Sequence, residues 1–128
     1  MLWQEGLVHE DITAGNSYVC VHDGRVVGVF YYVCGADIEP TYRVIEDGGW
    51  ADDSPYGVVH RIASDGSVKG CGKFCIEWAL KQCGHLRMDT HSDNKIMQNL
   101  LVKCGFSRRG IIHVQEDPYP RIAFEASV

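Results

Sequence analysis

Apolar positions along the chain follow two rhythms, and the changes between them mark out the elements. Tyr18-Val19-Cys20-Val21-His22 and Arg25-Val26-Val27-Gly28-Val29-Phe30-Tyr31-Tyr32-Val33 are rich in β-branched and aromatic residues, as strands are. Only Asp23-Gly24 separates them, and Asp-Gly between two such runs predicts a hairpin. Residues 35–55 follow as a long polar excursion carrying Pro40, Gly48, Gly49 and Trp50. A connection of that length in a compact domain is usually functional or mobile. Gly57-Val58-Val59-His60-Arg61-Ile62-Ala63 reads as a mostly buried strand, stopped by Ser64-Asp65-Gly66-Ser67.

After that turn the period changes. Lys73, Glu77 and Lys81 recur every fourth residue, with Phe74, Ile76, Trp78, Ala79 and Leu80 filling the other positions. This predicts a helix over 74–83 with one solvated stripe and charges set for i,i+4 pairing, stopped by Gly84 in a left-handed cap. His85-Leu86-Arg87-Met88-Asp89-Thr90 is a short strand. With Ser92 as cap, the set Ile96, Met97, Leu100, Leu101 and Cys104 then predicts a second amphipathic helix reaching Gly105. Ile111-Ile112-His113-Val114 and Arg121-Ile122-Ala123-Phe124-Glu125 close the chain as two strands joined through Asp117-Pro118-Tyr119-Pro120. The element order predicts an α/β fold whose sheet is only partly parallel, formed as a single domain over 1–128. No internal repeat or low-complexity segment interrupts it.

With 128 residues, 45% of them hydrophobic, the chain is long enough for one buried core without staples. No apolar run approaches the ~20 residues of a membrane span, and Met1-Leu2-Trp3-Gln4-Glu5 lacks the basic flank and apolar stretch of a secretory signal. A soluble, cytoplasmic protein without a membrane partner is therefore expected. The six cysteines (Cys20, Cys34, Cys71, Cys75, Cys83, Cys104) sit within apolar stretches, where a reduced Cys behaves as a small hydrophobe, so no disulfide framework is expected. Cys71-x3-Cys75 and Cys83-Gly84-His85 invite a zinc reading. The spacing is wrong for paired knuckles, however, and the groups would have to leave a helix face to meet, so no metal is expected. The net charge of −5 hides a split: residues 1–66 hold eleven Asp/Glu against three Arg, and residues 67–128 hold nine Lys/Arg against six Asp/Glu. The split suits either ordinary solvated surface or an anionic ligand on the second half and a cationic one on the first. No polybasic face points to nucleic acid.

The most informative stretch is strand, then Ser67-Val68-Lys69-Gly70-Cys71-Gly72-Lys73, then helix. Two glycines let the main chain approach a ligand closely, and the first N–H groups of a helix have no internal partners. An anion placed there gains those hydrogen bonds and the positive end of the helix dipole, with Lys69 and Lys73 adding charge. A tight turn has the same local sequence, so the motif alone does not decide.

Four runs taken together do more. His60-Arg61-Ile62-Ala63, Lys69-Gly70-Cys71-Gly72, Asp89-Thr90-His91-Ser92-Asp93-Asn94 and Lys103-Cys104-Gly105-Phe106 resemble, in order and spacing, the GCN5-related N-acetyltransferase (GNAT) superfamily. The likeness spans essentially the whole chain and is greatest to small bacterial members with D-T-H-x-D-N-x-x-M-Q and an ending like R-I-A-F-E. The resemblance implies a GNAT-like mixed sheet flanked by helices and acetyl-coenzyme A as donor, with no metal. It implies that Ser67, Val68, Lys69, Gly70, Cys71, Gly72 and Lys73 cradle the diphosphate. Main-chain groups of Ile62 and Ala63, together with Asn94, would bond the pantetheine arm in a slot between two splayed strands. Lys103 is counted with the cofactor residues.

The reaction implied is direct attack of a neutral primary amine, on a small molecule or a peptide, at the thioester carbonyl. A main-chain N–H near Arg61 and Ile62 would stabilise the oxyanion. His60, His91, Glu46 and Asp89 are the candidate bases; the alternatives are a hydrogen-bonded core histidine for His60 and a loop brace for His91. The loop over 39–56, with Tyr42, Glu46, Asp47, Trp50, Asp52 and Asp53, would frame the acceptor, its acidic and aromatic character suiting a cation; a solvated loop is the alternative. Three departures stand out. Leu101 occupies the position of a Tyr that protonates the leaving thiolate in many members, and Ser67 replaces a usual Gln or Arg. The strand and helices that precede the segment matching Trp3-Gln4-Glu5-Gly6 are missing, so the chain reads as truncated at its front. The bared sheet edge predicts self-association, a homodimer being the simplest form. A non-catalytic acyl-coenzyme A binder, or a degenerate interaction domain, is the competing reading.

Overall fold

A computed structural model gives the structure of residues 7–10, 16–115 and 117–128; Met1-Leu2-Trp3-Gln4-Glu5-Gly6, on which the leader and front-segment readings fall, lies outside the described residues. Among the described residues seven strands form one sheet: β1 (Leu7–Glu10), β2 (Ser17–His22), β3 (Arg25–Gly35), β4 (Tyr56–Ser64), β5 (His85–His91), β6 (Ser107–Ile112) and β7 (Arg121–Ser127), in the order β1-β2-β3-β4-β5-β7-β6. Asp23 and Gly24 both take positive φ (52° and 72°), as a two-residue turn between right-twisted strands requires. Only β4 and β5 run parallel among the described pairs, so the sheet is mixed, as expected for this α/β class.

Helix α1 (Cys71–Cys83) connects that parallel pair, and α2 (Lys95–Lys103) follows β5. Lys73, Glu77 and Lys81 of α1 are solvated, while Cys75, Ile76, Ala79 and Leu80 are buried in a core with Cys20, Val27, Phe30, Tyr32 and Val59. Trp78 closes this core in a ring cluster with Tyr18, Phe30 and Tyr32, at centroid separations of 5.1, 5.8 and 5.6 Å. Gly84 caps α1 at φ 77°, its N–H bonded to Leu80 O, as predicted. A second cluster gathers Tyr42, Tyr56, Val58, Ile112 and Ala123, with Ile38, Ile45 and Trp50 packed on it. The long excursion is therefore docked against the sheet by its own aromatic and aliphatic residues.

Several boundaries differ from the sequence reading. Strand β1 was not predicted, because four residues carry too little periodicity. Helix α1 starts at Cys71, since Gly70 in the left-handed region (φ 86°) ends the preceding turn. The cap of α2 is Asn94, whose Oδ1 accepts from Met97 N at 3.1 Å, rather than Ser92. Strand β6 lies over Ser107–Ile112, earlier than Ile111-Ile112-His113-Val114, because its polar first half pairs with β7 through a bulge between Arg108 and Gly110.

The cysteines need a correction. Cys34 and Cys83, 49 residues apart, are joined in a disulfide, while Cys20, Cys71, Cys75 and Cys104 are free. Topology makes this pair: the ends of β3 and α1 meet at one rim of the sheet, which no local sequence signal announces. Burial pushes the Cys20 thiol up to about 12 and also raises Cys75, so both are protonated. Dithiothreitol is expected to lower the unfolding free energy by about 2–4 kcal/mol, read from urea titrations with and without reductant. An unchanged urea midpoint would show that the bridge contributes nothing in solution.

Candidate active site

The site begins where the parallel pair parts. Pairing between β4 and β5 is confined to Gly57↔Leu86 and Val58↔Arg87. Beyond this β4 stays on β3, and β5 stays on β7 along its whole length. Residues 59–64 therefore have no β5 ladder partners, and among the described residues the main-chain groups on that edge are open to an extended ligand. Strand β4 also carries a bulge: its register jumps from Val29↔Ala63 to Tyr31↔His60, and Arg61 sits at φ 53°. A non-glycine residue in that region costs about 1–3 kcal/mol and persists only where its surroundings hold it.

Below the fork lies the helix start. Phe74 N is the first amide of α1 to find a partner, Gly70 O at 2.9 Å. Among the described residues the amides of Cys71, Gly72 and Lys73 make no hydrogen bond. They face the conditions that favour an anion at a helix N-terminus. A cavity of about 220 Å³ adjoins them, lined by Ile62, Ala63 and Ser64 of β4, Cys71 and Gly72 of α1, and Met97 and Leu100 of α2. A Cβ on Gly72 would stand 3.1 Å from Leu100 Cδ2, so glycine keeps this cavity open.

Other predicted cofactor residues are placed less directly. Ser67 already donates its amide and hydroxyl to Asp65 Oδ1 (2.9 and 2.6 Å), and these bonds, the hydroxyl first, hold the Asp65 carboxyl below its ordinary range. Val68 packs half-buried against the main core, while Lys69 and Lys73 are exposed. Asn94 uses Oδ1 as the α2 cap, and its Nδ2 makes no hydrogen bond among the described residues. Lys103 is in the last turn of α2, roughly 13 Å along the helix axis from Asn94, and does not line the cavity.

A larger cavity, about 650 Å³, opens on the preceding stretch of β4 and is lined by His60, Arg61, Tyr31, Glu39, Thr41, Asp89, Val114 and Arg121. His60 Nε2 stands 3.2 Å from Glu39 Oε2, and Thr41 donates to Glu39 Oε1 at 2.8 Å. Asp89, the other candidate base in this cavity, accepts from Tyr42 Oη at 2.6 Å and from Arg121 Nη1 at 3.2 Å. Burial, then the Asp89 charge, pushes the Tyr42 phenol well up, so it remains the proton donor. Both carboxylate oxygens of Asp89 are thus engaged.

His91 and Glu46 do not reach this cavity. His91 pairs with Asp117 at 3.0 Å, and its carbonyl accepts from Asn94 N and Gln98 Nε2, the bracing arrangement raised for it from sequence. Glu46 pairs with His113 at 2.7 Å on the surface, and its main chain bridges Ile111.

The excursion framing this cleft is fixed from beneath by a buried charge cluster. The Glu125 carboxylate, 1% exposed, meets His85 Nε2 at 2.5 Å, Arg87 Nε at 3.1 Å and Arg109 Nε at 3.0 Å, and accepts from Ala51 N at 2.9 Å. Arg87 also donates to Asp52 O and lies between the rings of Trp50 and Tyr56, at 4.4 and 4.2 Å. Burial raises the Glu125 pKa, but the bonds from His85, Ala51 and Arg87 outweigh it and hold the carboxyl below its ordinary value. Trp50 therefore covers an internal cation instead of framing an external one, and Asp52 is engaged by Ser54. Sequence reasoning did not single out Glu39, Tyr42 as a partner of Asp89, or Arg121. Pro40 directly after Glu39, opening the 3₁₀ turn Pro40–Tyr42, was the one local hint.

Compared by sequence, the chain matches no family model and no curated protein. Compared by structure, it is similar to a GNAT-family acetyltransferase from Streptococcus agalactiae 2603, with 26% identity, a TM-score of 0.73, and coverage of 91% of this chain and 68% of that one. It is also similar to a Bacillus subtilis acetyltransferase in complex with CoA (14% identity, TM-score 0.62, 91% and 79% covered) and to Arabidopsis thaliana NAA60 in complex with acetyl-CoA (12%, 0.65, 91% and 79%). The chain has the fold of the GNAT acetyltransferases, and the resemblance read from its motifs is present in its architecture.

Proposed function

We propose that this chain is an N-acetyltransferase, taking its acyl group from acetyl-coenzyme A and passing it to a primary amine of a small molecule or peptide. The observation that carries this reading is the fork between β4 and β5 meeting three amides at the start of α1 that are unpaired among the described residues. The residues fit the donor: Cys71, Gly72 and Lys73 would hold the diphosphate through main-chain N–H groups, and the open edge of β4 at Ile62 and Ala63 would hold the pantetheine arm. When bound, acetyl-coenzyme A supplies an activated thioester.

His60 acts as base on the acceptor. Glu39 accepts from the Nε2–H of His60, which fixes the tautomer and leaves the lone pair on Nδ1 to take the amine proton. Main-chain N–H groups at the Arg61 bulge stabilise negative charge developing on the acyl oxygen. Asp89, tied to Tyr42 and Arg121, positions the cleft wall. Leu101, fully buried and apolar, cannot protonate the thiolate; a coenzyme A thiolate leaves tolerably unaided.

Isothermal titration with acetyl-coenzyme A and a thiol-release assay over a panel of primary amines test the reading. Gly72→Asp places a carboxylate against the proposed diphosphate and is expected to weaken coenzyme A binding by about tenfold or more, ~1.4 kcal/mol. Unaltered affinity would move the cofactor elsewhere. Buried Leu101 specifically favours one second reading, a non-catalytic acyl-coenzyme A binder. Tight binding with no thiol release across the panel would decide for it.

A further inference from the structure

Three thiols that acyl transfer does not use meet inside the main core. Cys20 of β2 and Cys71 and Cys75 of α1 are 0%, 3% and 1% exposed, and their sulfurs all lie within 4.8 Å of one another. Two periodicities bring them together: Cys71 and Cys75 share a helix face at i,i+4, and Cys20 points from the sheet toward that face. The residue opposite Cys20 on β3 is Gly28, and a Cβ there would stand 2.7 Å from Cys71 Sγ and 3.6 Å from Cys20 Cβ. A side chain at that position would push the sulfurs apart; glycine leaves them room to gather.

We propose that Cys20, Cys71 and Cys75 form a three-sulfur site for a trivalent thiophilic ion, with arsenic(III) as the chemistry that fits. Sulfurs ~2.3 Å from a shared centre lie about 4 Å apart, so the present cluster closes on an ion with small side-chain adjustments. Charge selects among soft ions. Zinc held by three thiolates leaves one net negative charge and wants a fourth ligand, and among the described residues the cluster has no fourth His, Cys, Asp or Glu. An enclosed apolar setting penalises that net charge. Neutral arsenous acid, As(OH)₃, condenses with three protonated thiols to give As(S-Cys)₃ and three waters. Three As–O and three S–H bonds break, three As–S and three O–H bonds form, no electrons transfer, and no charge remains buried. Cys71 also lines the cavity of about 220 Å³, which gives the ion a way in.

Sodium arsenite added to the protein under argon, without a reductant that would open the Cys34–Cys83 bridge, tests the site. Native mass spectrometry is expected to show one arsenic bound with loss of three waters, and X-ray absorption to count three sulfurs around it. Cys20→Ala and Cys75→Ala are expected to weaken capture about tenfold or more, with two sulfurs remaining, whereas Cys34→Ala with Cys83→Ala leaves capture unchanged. Zinc chloride is expected to bind more weakly than arsenite. Two sulfurs in the unaltered protein, capture lost with Cys34 and Cys83, capture indifferent to Cys20→Ala, or no capture at all would each overturn the proposal. Because the sulfur count is made on the unaltered chain, a variant that fails to fold does not remove the test.

Discussion

Replacing His60 by glutamine is expected to slow acetyl transfer about 10²–10³-fold while leaving coenzyme A affinity within about twofold. The separation of effects follows from geometry: His60 faces the larger cavity with Glu39 and Asp89, whereas Ile62, Ala63, Cys71 and Gly72 line the smaller one. Glutamine keeps a polar side chain of similar reach near Glu39 and removes only the proton-accepting nitrogen. Glu39→Gln is expected to cost less, about tenfold, because the carboxylate orients His60 without touching the amine. Its loss should fall on kcat more than on KM for the amine, which separates a positioning role from acceptor binding. Steady-state thiol release under saturating acetyl-coenzyme A, paired with titration of coenzyme A, measures both. A His60→Gln enzyme working at near the normal rate would transfer the base role to water or to another cleft residue.

The sequence made some of this arrangement legible and concealed the rest for physical reasons. Asp23-Gly24, Gly84 and the Lys73/Glu77/Lys81 stripe act through neighbouring residues, so local chemistry was enough to read the hairpin, the helix stop and the solvated face of α1. Gly70-Cys71-Gly72 likewise announced an open helix start, though not that Ser67 would be engaged by Asp65 two residues away. Contacts across the sheet left no such trace. Glu39 meets His60 from 21 residues away, Tyr42 meets Asp89 from 47, and Cys34 meets Cys83 from 49. An acidic, aromatic loop looked suited to an external cation, but Trp50 and Tyr56 enclose Arg87, a cation of the protein itself. Composition records that the groups attract; only topology settles which of them meet.

Glu125→Gln is expected to cost about 3–5 kcal/mol of folding stability, the largest loss predicted here for a single substitution that keeps side-chain size. Glutamine fills the same space but leaves the Arg87 guanidinium, 6% exposed, beside a neutral amide and removes the carboxylate partner of His85 and of the partly solvated Arg109. The Ala51 N–H bond to Oε1 can survive on the amide oxygen, so the loss comes mainly from the uncompensated charge of buried Arg87. A midpoint of thermal unfolding lower by about 10–20 °C is the expected signature. The pH dependence has a fixed sign. Glu125 has a folded-state pKa below its unfolded value, so its contribution is complete above the ordinary carboxylate pKa. It is lost as pH falls through the depressed folded value. The unaltered protein should therefore lose stability in acid more steeply than Glu125→Gln, and the difference between the two should shrink as pH falls below ~4. Urea titrations of both proteins from neutral pH into acid measure that difference. A constant gap across the range would mean that the carboxylate charge is not what fastens Ala51, Asp52 and Pro55 to the sheet, and that packing around Arg87 does so instead.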